Sequence, residues 1–236
     1  MNICVILAGG TGKRLGFDIP KQFIFLNRMP IIEYSIKIFN SHKKIDNILI
    51  VCNGEYINFL KELVNFNKYS KVCDIISGGE ERYLSALNAI NYIKKSNIAN
   101  LNECNILFHD AARPLITNKI IDNVIEALNN YQAVTVAIPS TDTLYFLDDD
   151  KSSVSSIPDR SHLVKAQTPQ AFRMSLIDEA YQKALNNDNV VPTDDCSVVV
   201  KYTDYKPYIV KGSSDNIKIT YDVDIKFAEQ ILRKNK

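Results

Sequence analysis

The sequence predicts an α/β fold, with a mostly parallel β-sheet that carries helices on both faces. Short apolar runs of strand length alternate with segments of helical periodicity from Ile3 to Ile138. Such alternation is typical of parallel sheets covered by helices. Glycine-rich and charged motifs also come directly after several of the apolar runs. Ligands of these sheets bind at the carboxyl ends of the strands, so the motifs stand where this fold would use them.

The elements are predicted in order along the chain. Apolar runs predict strands over residues 3–8, 48–52, 74–77, 106–108 and 134–138. Helical periodicity predicts helices over residues 31–39, 56–64, 85–94, 118–128, 174–185 and 224–232, with Thr117 or Asn118 as a helix cap. Residues 140–165 lack that periodicity and predict a hairpin or an extended arm. Because no repeat or low-complexity linker interrupts the chain, we expect one domain over residues 1–236, with the arm at about 140–165.

Composition excludes several classes of function. The chain has 236 residues and a formal net charge of +1, whereas a nucleic-acid-binding protein usually carries a strong basic excess, so we expect a small-molecule substrate. The five cysteines form no C-x-x-C pair, which favours small buried thiols in a reducing compartment over disulfides or zinc ligands. No segment approaches the ~20 apolar residues of a membrane span. We therefore expect a cytoplasmic protein without a membrane partner.

The first motif, LAGGTGKRLG, occupies residues 7–16 directly after the first predicted strand. Glycine lets a backbone approach a ligand closely, and the exposed N–H groups of such a loop can bind phosphate oxygens. Lys13 and Arg14 add positive charge. The spacing matches neither the GxxxxGK[ST] phosphate loop nor the GxGxxG dinucleotide motif. A glycine-rich tight turn without a ligand remains the alternative interpretation.

Two further motifs add cations. Lys21, in the sequence PKQF, is suited to contact a triphosphate, although a lone lysine there would more often be a surface residue. In GGEERYLSALNAI, Gly78 and Gly79 lead from a strand into a helix whose N-terminus can face an anion. Arg82 can donate two hydrogen bonds to a phosphate. An ordinary loop–helix junction with a solvated arginine is the alternative.

The motif HDAARP begins at His109, immediately after a predicted strand. Asp110 could position magnesium or a ribose, or could simply cap a helix or turn. Arg113 could hold a phosphate. We interpret His109 as a semi-buried histidine with satisfied hydrogen bonds and not as a catalytic residue.

Weaker polar groups follow, and each alone is more typical of a polar turn. They are Asp142-Thr143, Asp159-Arg160, Gln167-Thr168-Pro169-Gln170, Thr193-Asp194-Asp195-Cys196 and Asn216-Ile217-Lys218-Ile219-Thr220. The sequence contains no HExxH motif, no serine-hydrolase elbow and no cluster with metal-ligand spacing. Hydrolases of those types are therefore excluded.

Taken in order, these motifs resemble the family of 2-C-methyl-D-erythritol 4-phosphate cytidylyltransferases and their relatives, the ribitol 5-phosphate cytidylyltransferases. The resemblance extends from about Ile3 to Ile231. It implies a Rossmann-like α/β domain with a projecting β-arm that embraces the partner subunit of a homodimer. It also implies a reaction that depends on Mg²⁺ or another divalent cation, in which a polyol phosphate attacks the α-phosphorus of CTP in line. The protein then contributes mainly positioning and charge neutralisation.

The resemblance also implies roles for individual residues. The catalytic cations would be Arg14, Lys21 and Lys218. The nucleotide-binding positions would be Ala8, Gly9, Gly10, Thr11, Gly12, Gly79, Arg82, Ser85, Asp110 and Ala111, with Asp110 also the candidate metal ligand. The acceptor-binding positions would be Arg113, Thr143, Arg160 and Thr168, with Arg113 and Thr143 reaching the acceptor from the other subunit.

Two acceptors remain open at the level of sequence. The LAGG start and the IPDR stretch are closer to the ribitol phosphate branch, and Leu144 follows Thr143 where the methylerythritol branch often has lysine. The HDAARP, AQTPQAF and PTDD segments are closer to the methylerythritol branch. On this balance we expect D-ribitol 5-phosphate to be the acceptor, with 2-C-methyl-D-erythritol 4-phosphate as the alternative.

Three more remote alternatives are weaker. A sugar-phosphate nucleotidyltransferase using another NTP would share the glycine-rich start, but HDAARP and QTPQ argue against it. A non-catalytic nucleotide-binding homologue would not need Arg14, Lys21 and Lys218 together. A dinucleotide-dependent redox enzyme would need a different glycine spacing and an acidic residue at the end of the second strand.

Overall fold

The computed structural model describes residues 1–10, 19–96, 98–101, 103–186 and 192–234. The strands are β1 (Asn2–Ala8), β2 (Phe25–Leu26), β3 (Met29–Pro30), β4 (Asn47–Cys52), β5 (Val72–Ser77), β6 (Asn105–Asp110), β7 (Ala133–Pro139), β8 (Phe146–Leu147), β9 (Val154–Ser156), β10 (Val164–Arg173) and β11 (Tyr208–Lys211). The helices are α1 (Ile31–Ser41), α2 (Ile57–Asn67), α3 (Arg82–Ser96), α4 (Asn118–Ala127), α5 (Met174–Leu185), α6 (Asp195–Tyr202) and α7 (Asp222–Lys234). Single 3-10 turns cover Lys21–Phe23, Gly54–Tyr56 and Arg160–His162.

Seven of these strands form one sheet in the order β11-β7-β10-β6-β1-β4-β5. Strand β10 runs antiparallel to both of its neighbours, β6 and β7, and every other pair in the sheet is parallel. The prediction of a mostly parallel sheet is therefore confirmed. Parallel order also brings the carboxyl ends of β1, β4, β5 and β6 to one edge of the sheet.

Helices cover both faces because the side chains of each strand alternate between them. In β1, Cys4 and Ile6 pack in one apolar cluster, with buried residues of α1, α2 and α4. Ile3 and Val5 point to the opposite cluster, with α3, α5 and α6. Thr117 is the N-cap of α4, as the sequence predicted, and its side chain accepts a hydrogen bond from the backbone N–H of Ile120.

A smaller third cluster joins the end of the chain to its beginning. Ala228 of α7 is buried with Leu26 of the β2–β3 hairpin and with Ile219, which precedes the helix. The backbone N–H of Ile219 donates to the carbonyl of Ala112 at 2.8 Å. The segment that contains Lys218 is thereby held against the loop that follows β6.

The segment predicted as a hairpin or extended arm contains a small hairpin. Strands β8 and β9 pair antiparallel, and every side chain from residue 141 to residue 157 is exposed. The apolar side chains of Tyr145, Phe146 and Ile157 are 56–61% exposed. The last residues of the predicted arm, Val164 and Lys165, already belong to the long strand β10.

The short strands β2 and β3 are absent from the sequence prediction, as are three longer elements. Strand β10 contains Gln167, Thr168 and Gln170, which were interpreted as a polar turn but are 2–5% exposed in the middle of the sheet. Helix α6 lies where the motif around Asp194 and Asp195 was interpreted as a solvated loop. Strand β11 is a four-residue edge strand. In β10 and α6, polar side chains find partners within the protein, which local sequence does not reveal. Strand β11 is short, and most of its side chains are exposed.

None of the described helices is long and apolar enough to cross a membrane.

Candidate active site

A cleft with a volume of about 350 Å³ opens at the carboxyl edge of the sheet. It is lined by Leu7, Gly9, Gly10, Lys21, Gln22, Gly79, Glu80, Glu81, Arg82, Ser85, Asp110, Ala112, Lys218 and Thr220. These residues come from the ends of β1 and β6, from the loop between β5 and α3, and from the segment before α7. Motifs more than 200 positions apart in sequence therefore meet in one place.

The loop after β5 requires glycine because it passes close to the first turn of α3. A Cβ atom at Gly79 would lie 2.3 Å from the Cβ of Leu84, and one at Gly78 would lie 2.7 Å from Oγ of Ser85. Ser85 Oγ accepts a hydrogen bond from the backbone N–H of Gly79 at 3.1 Å and donates to the carbonyl of Glu81 at 3.3 Å. This tight loop brings the N-terminus of α3, with its partial positive charge, to the cleft.

Asp110 is the electrostatic centre of the cleft. Its carboxylate lies 2.9 Å from Nζ of Lys218, 3.5 Å from Nε of Arg113 and 3.8 Å from Nε of Arg82. Burial by itself would raise the pKa of this carboxyl, but the three cations outweigh burial and hold its pKa well below the ordinary range. Asp110 is therefore a permanent anion that draws three cations to one point.

Lys218 is positioned by the residues on either side of it. Asn216 is fully buried, and its Nδ2 donates to the carbonyl of Thr168 at 3.1 Å. Ile219, also fully buried, is held by the hydrogen bond to Ala112 described above. Between these anchors, the side chain of Lys218 remains 41% exposed and reaches the cleft. The alternation of buried and exposed residues gives the lysine a fixed backbone and an accessible charge.

Arg113 is turned into the protein. Its Nη1 donates to the carbonyl of Asn216 at 2.9 Å and its Nη2 to the carbonyl of Ala166 at 3.3 Å. Burial lowers the pKa of its guanidinium, although Asp110 acts in the opposite direction. In the described chain these contacts make Arg113 a brace between β6, β10 and the segment of Lys218. The structure does not place it in the lining of the cleft.

Thr168 and His109 form a buried chain of hydrogen bonds below the cleft. Thr168 Oγ1 accepts from the backbone N–H of Asp110 at 3.1 Å and lies 3.0 Å from Nδ1 of His109. His109 Nε2 lies 3.2 Å from the carbonyl of Arg113, and burial lowers the pKa of the imidazole to about 4. The neutral ring therefore accepts from Thr168 and donates from Nε2 to Arg113. The hydrogen bonds of His109 are satisfied, as interpreted from sequence, but the residue is fully buried where a semi-buried one was expected. Thr168 supports Asp110 from behind.

Gln22 is a site residue for which sequence assigned no role. It is 2% exposed, and its Nε2 donates to the carbonyls of Ala8 at 2.5 Å and Gly10 at 2.8 Å. It therefore ties the start of the glycine-rich loop to the turn that carries Lys21. Its only sequence signal was its position beside that lysine in PKQF.

Known proteins resemble this chain over almost its whole length. The family model "2-C-methyl-D-erythritol 4-phosphate cytidylyltransferase" matches residues 2–234. The chain belongs to this family. A relative with that name from Lachnoclostridium phytofermentans is 37% identical over 231 residues, which is 98% of this chain and 96% of the relative. The bifunctional ribulose 5-phosphate reductase/CDP-ribitol pyrophosphorylase Bcs1 of Haemophilus influenzae is also 37% identical, over 98% of this chain and 48% of its own length.

Solved structures agree with this membership. The 4-diphosphocytidyl-2C-methyl-D-erythritol synthase from Anaerococcus prevotii has a TM-score of 0.83 and 29% identity, over 99% of this chain and 98% of that one. The 2-C-methyl-D-erythritol 4-phosphate cytidylyltransferase from Francisella tularensis has a TM-score of 0.78 and 26% identity, over 97% and 98%. The protein is thus a nucleotidyltransferase of the cytidylyltransferase class with a Rossmann-like fold, as the resemblance implied.

The structure of this cytidylyltransferase brings most of the predicted site residues together. Lining the cleft are Gly9, Gly10, Lys21, Gly79, Arg82, Ser85, Asp110 and Lys218. Ala8 and Ala111 are buried directly beside it. Thr11, Gly12 and Arg14 lie outside the described residues. Their assigned roles, like those of the residues in the lining, stay predictions.

The arm residues of the prediction are placed elsewhere. Thr143 and Arg160 are exposed, and neither lines the cleft of its own chain. Arg160 Nη1 lies 3.4 Å from the carbonyl of Thr141, near the base of the arm. The resemblance implied that Thr143, with Arg113, reaches the acceptor of the other subunit and that Arg160 holds the acceptor. Both roles stay predictions.

Two acidic residues of the cleft, Glu80 and Glu81, received no role from sequence. Neither did Asp195, which is fully buried and lies 2.7 Å from Arg82, measured from Oδ2 to Nη2. Its sequence context, PTDD before an apolar run, is a helix-capping pattern, and Asp194 is indeed the N-cap of α6. That pattern could have located the helix, which was not predicted, but it does not reveal that Asp195 forms an ion pair with Arg82.

Proposed function

We propose that this cytidylyltransferase transfers the cytidylyl group of CTP to 2-C-methyl-D-erythritol 4-phosphate and releases pyrophosphate. The observation that carries the proposal is the cleft itself. Its glycine-rich rim, the N-terminus of α3 and the cations Lys21, Arg82 and Lys218 converge at the carboxyl edge of a parallel sheet. This combination is suited to a nucleoside triphosphate, and the family membership supports CTP as that nucleotide.

The relatives favour the methylerythritol acceptor over the ribitol acceptor expected from sequence. The family description names it, as do the relatives from Lachnoclostridium phytofermentans and Clostridium acetobutylicum, both 37% identical to this chain. The sequence preference depended on short segments such as IPDR and LAGG. These segments carry less weight than similarity over the whole chain.

In the proposed reaction an oxygen of the acceptor phosphate attacks the α-phosphorus of CTP. A new P–O bond forms, the bond from the α-phosphorus to the bridging oxygen of the leaving group breaks, and pyrophosphate leaves with that oxygen. Negative charge accumulates on the oxygens of the α-phosphate, where preorganised cations stabilise it. Lys218 is held at its base by Asn216 and Ile219, and Lys21 is held near the glycine-rich loop through Gln22. Arg14 is proposed to share this role.

A magnesium ion is compatible with the cleft, with CTP supplying part of its coordination. The described residues contain no cluster of three or more metal-ligating side chains. Mg²⁺ bound with a nucleotide needs only one or two protein carboxylates because phosphates and waters supply the remaining ligands. Asp110 is ionised and lies in the cleft, so we propose it as the protein ligand. The ion would neutralise phosphate charge and orient the triphosphate.

The exposed apolar arm supports a homodimer. Because Phe146 and Ile157 are 59% and 61% exposed, they would leave water if a second copy packed against the arm. Thr143 and Arg160 would then be available to the acceptor in the partner's cleft.

All five cysteines are unpaired, the state that a reducing compartment maintains, and this supports the cytoplasm as the place of reaction.

The decisive experiment measures pyrophosphate release from CTP and Mg²⁺ with each of the two acceptors in parallel. We expect turnover with 2-C-methyl-D-erythritol 4-phosphate, and Lys218→Ala should lower kcat/KM by ~10²-fold or more because a preorganised transition-state cation is lost. Lys211→Ala is the matched control, since this lysine is exposed on β11 and does not line the cleft. Full activity of Lys218→Ala with native circular dichroism would refute the assigned role.

D-Ribitol 5-phosphate is the second candidate acceptor, and one observation favours it. The Haemophilus influenzae relative named a CDP-ribitol pyrophosphorylase is as similar in sequence as the first methylerythritol relative, at 37% identity. Turnover with ribitol phosphate alone would replace the proposed acceptor and leave the cytidylyl transfer unchanged. Turnover with neither acceptor would reject the proposed function.

A further inference from the structure

A buried network behind the cleft involves Arg82 and residues outside the predicted site. Asp195, the first residue of α6, is fully buried. Its Oδ2 accepts from Nη2 of Arg82 at 2.7 Å, and its Oδ1 accepts from the hydroxyl of Tyr181 at 2.7 Å. Tyr181 belongs to α5 and is 1% exposed. A carboxylate with both oxygens occupied and no access to water has one geometry available to it, so it can hold a partner in one orientation.

The position of Asp195 is itself determined by strand β10. Gln170 is 2% exposed, and its Oε1 accepts from the backbone N–H groups of Asp195 at 3.1 Å and Cys196 at 3.3 Å. Its Nε2 donates to Asp194, the N-cap of the same helix, at 2.6 Å. The first turn of α6 is therefore fixed to the centre of the sheet. Asp195 stands on a rigid base and not on a mobile loop.

Arg82 links this buried base to the cleft. One side of its guanidinium is bound by Asp195, and its Nε lies 3.8 Å from Oδ1 of Asp110 in the cleft. Its Nη1 is buried and has no hydrogen-bond acceptor among the described residues. The guanidinium thus keeps an unused donor while its orientation is fixed from behind. Arginine bound in this way is preorganised to donate to a phosphate or a ribose oxygen.

The charges explain why a second carboxylate is needed. Arg82, Arg113 and Lys218 all lie within 4 Å of the single carboxylate of Asp110. Without Asp195, the partly buried arginine would turn to Asp110 and compete with Lys218 for it. Asp195 lies 1.1 Å closer to Arg82 than Asp110 does, so the arginine is kept at the wall and Asp110 is left to Lys218 and a metal-bound nucleotide.

We propose that Asp195 and Tyr181 are positioning residues of the nucleotide site, which act through Arg82 to set the affinity for CTP. The proposal rests on the proposed function and adds residues from α5 and α6 to it. Neither residue lines the cleft. Because both act through Arg82, which is assigned to the nucleotide, they should change the KM for CTP and not the KM for the acceptor.

The test is a double-mutant cycle on Arg82 and Asp195, with KM measured separately for CTP and for the acceptor. Asp195→Asn should raise the KM for CTP about 10-fold, within the range of coupling in a buried network, and leave the KM for the acceptor unchanged. In the Arg82→Ala background the same substitution should have no further effect, because Arg82 transmits it. If the effects of the two substitutions on the KM for CTP multiply instead, Asp195 does not act through Arg82 and the proposal is wrong.

Tyr181→Phe provides a second variant that keeps the ion pair and the ring. It removes only the hydroxyl that donates to Asp195, and it should raise the KM for CTP about threefold, since one hydrogen bond to a charged group is lost. This variant remains informative if Asp195→Asn unfolds the protein. The positioning role is rejected if Tyr181→Phe leaves the KM for CTP unchanged and Asp195→Asn also has a wild-type KM for CTP. It is likewise rejected if Tyr181→Phe leaves that KM unchanged and Asp195→Asn does not fold.

The matched control is an ion pair of the same length that also joins α3 to a helix on the same face of the sheet. Lys94 of α3 lies 2.7 Å from Asp178 of α5, outside the cleft lining. Asp178→Asn should change the KM for CTP by less than about twofold, as is typical of partly exposed pairs. The wild-type enzyme is assayed first. Absence of CTP turnover would reject the proposed function, whereas wild-type turnover with unchanged variants would reject only the inference about Asp195.

Discussion

At the scale of single residues, the site depends on polar side chains that are buried and bind backbone. Gln22 shows this most directly, because two carbonyls at the start of the glycine-rich loop depend on one amide group. Thr168 and Asn216 act similarly below Asp110 and Lys218. The charged groups of the cleft are thus held in place by neutral side chains, of which Gln22 lines the cleft and Thr168 and Asn216 do not.

The role of Gln22 gives a prediction. Gln22→Met keeps the length of the side chain and removes both hydrogen bonds, which leaves two carbonyls without their donor. We expect a loss of about 1–3 kcal/mol in the free energy of unfolding, and an increase in the KM for CTP because the loop and Lys21 are no longer tied together. Urea denaturation and steady-state kinetics measure the two effects.

Gln182→Met is a suitable control, because that glutamine is exposed on α5 and its amide contacts only Asp178 of the same helix. This variant should change neither the free energy of unfolding nor the KM for CTP. A wild-type KM for CTP in Gln22→Met would show that the loop is positioned without this side chain.

The charged residues of the site were easier to predict from sequence than the buried polar residues that hold them in place. Lys21 and Asp110 follow a glycine-rich loop or a strand in patterns that indicate a ligand site, and Lys218 was assigned through the resemblance. The structure brings all three to one cleft. Gln170 and Asp195 gave no such signal, because a buried polar residue is recognised only by its partners. Gln170 and Asp195 are 25 positions apart in sequence, and Arg82 and Asp195 are 113 apart.

At the scale of elements, local patterns predicted the first part of the chain well. Strands β1, β4, β6 and β7 are apolar runs buried on both faces, and α4 has a cap and one apolar face. Strand β10 was missed because its centre reads as polar, although its polar side chains bind α6 and the segment around Asn216. Strand β11 was missed because it is short and most of its side chains are exposed.

The arm is the element whose role can be tested by removal. Replacing residues 144–158 by a short Gly-Ser linker should leave the seven-stranded sheet folded, because β8 and β9 pair only with each other. We expect the proposed dimer to become a monomer in sedimentation velocity, with loss of turnover. The physical reason is the loss of apolar surface that a partner would cover.

A matched control keeps the arm and changes one polar tip residue, Asp149→Asn, which should preserve the dimer. A wild-type enzyme that sediments as a monomer, or an armless variant that remains dimeric, would contradict the proposed role of the arm.

At the scale of the whole molecule, a net charge of +1 gives no sign of the local concentration of charged groups at the cleft. Three cations meet two buried carboxylates around the cleft, Asp110 and Asp195, while the rest of the surface balances the sum. Overall charge therefore predicted a small-molecule substrate but could not predict where the charge would be concentrated.

Stability of the whole molecule should depend on pH through His109. Its pKa is lowered to about 4 in the folded protein by burial, against an ordinary value of 6.5. Between these values the unfolded chain binds a proton that the folded chain does not, so stability is complete above pH 6.5 and falls as the pH falls towards 4. The loss should be on the order of 3 kcal/mol.

Urea denaturation between pH 7 and pH 4 measures this loss. Burial also lowers the pKa of His42 and contributes in the same direction. His109→Gln should be less stable at neutral pH and should show a flatter pH profile, whereas His162→Gln, on the exposed arm, should keep the wild-type slope. An unchanged slope in His109→Gln would show that this ring is not the titrating group.

The site is assembled from segments that lie more than 200 residues apart, so its parts leave the ribosome at different times. Gly9 and Gly10 emerge long before Lys218, and Ile219 can bind the carbonyl of Ala112 only after that. Strand β10, which supports Asp110 through Thr168, is also translated well after β1. A nascent chain would thus carry its glycine-rich segment through the synthesis of about 200 further residues without a complete cleft. An enzyme built this way gains activity only after Lys218 and Ile219 have emerged and folded against the sheet.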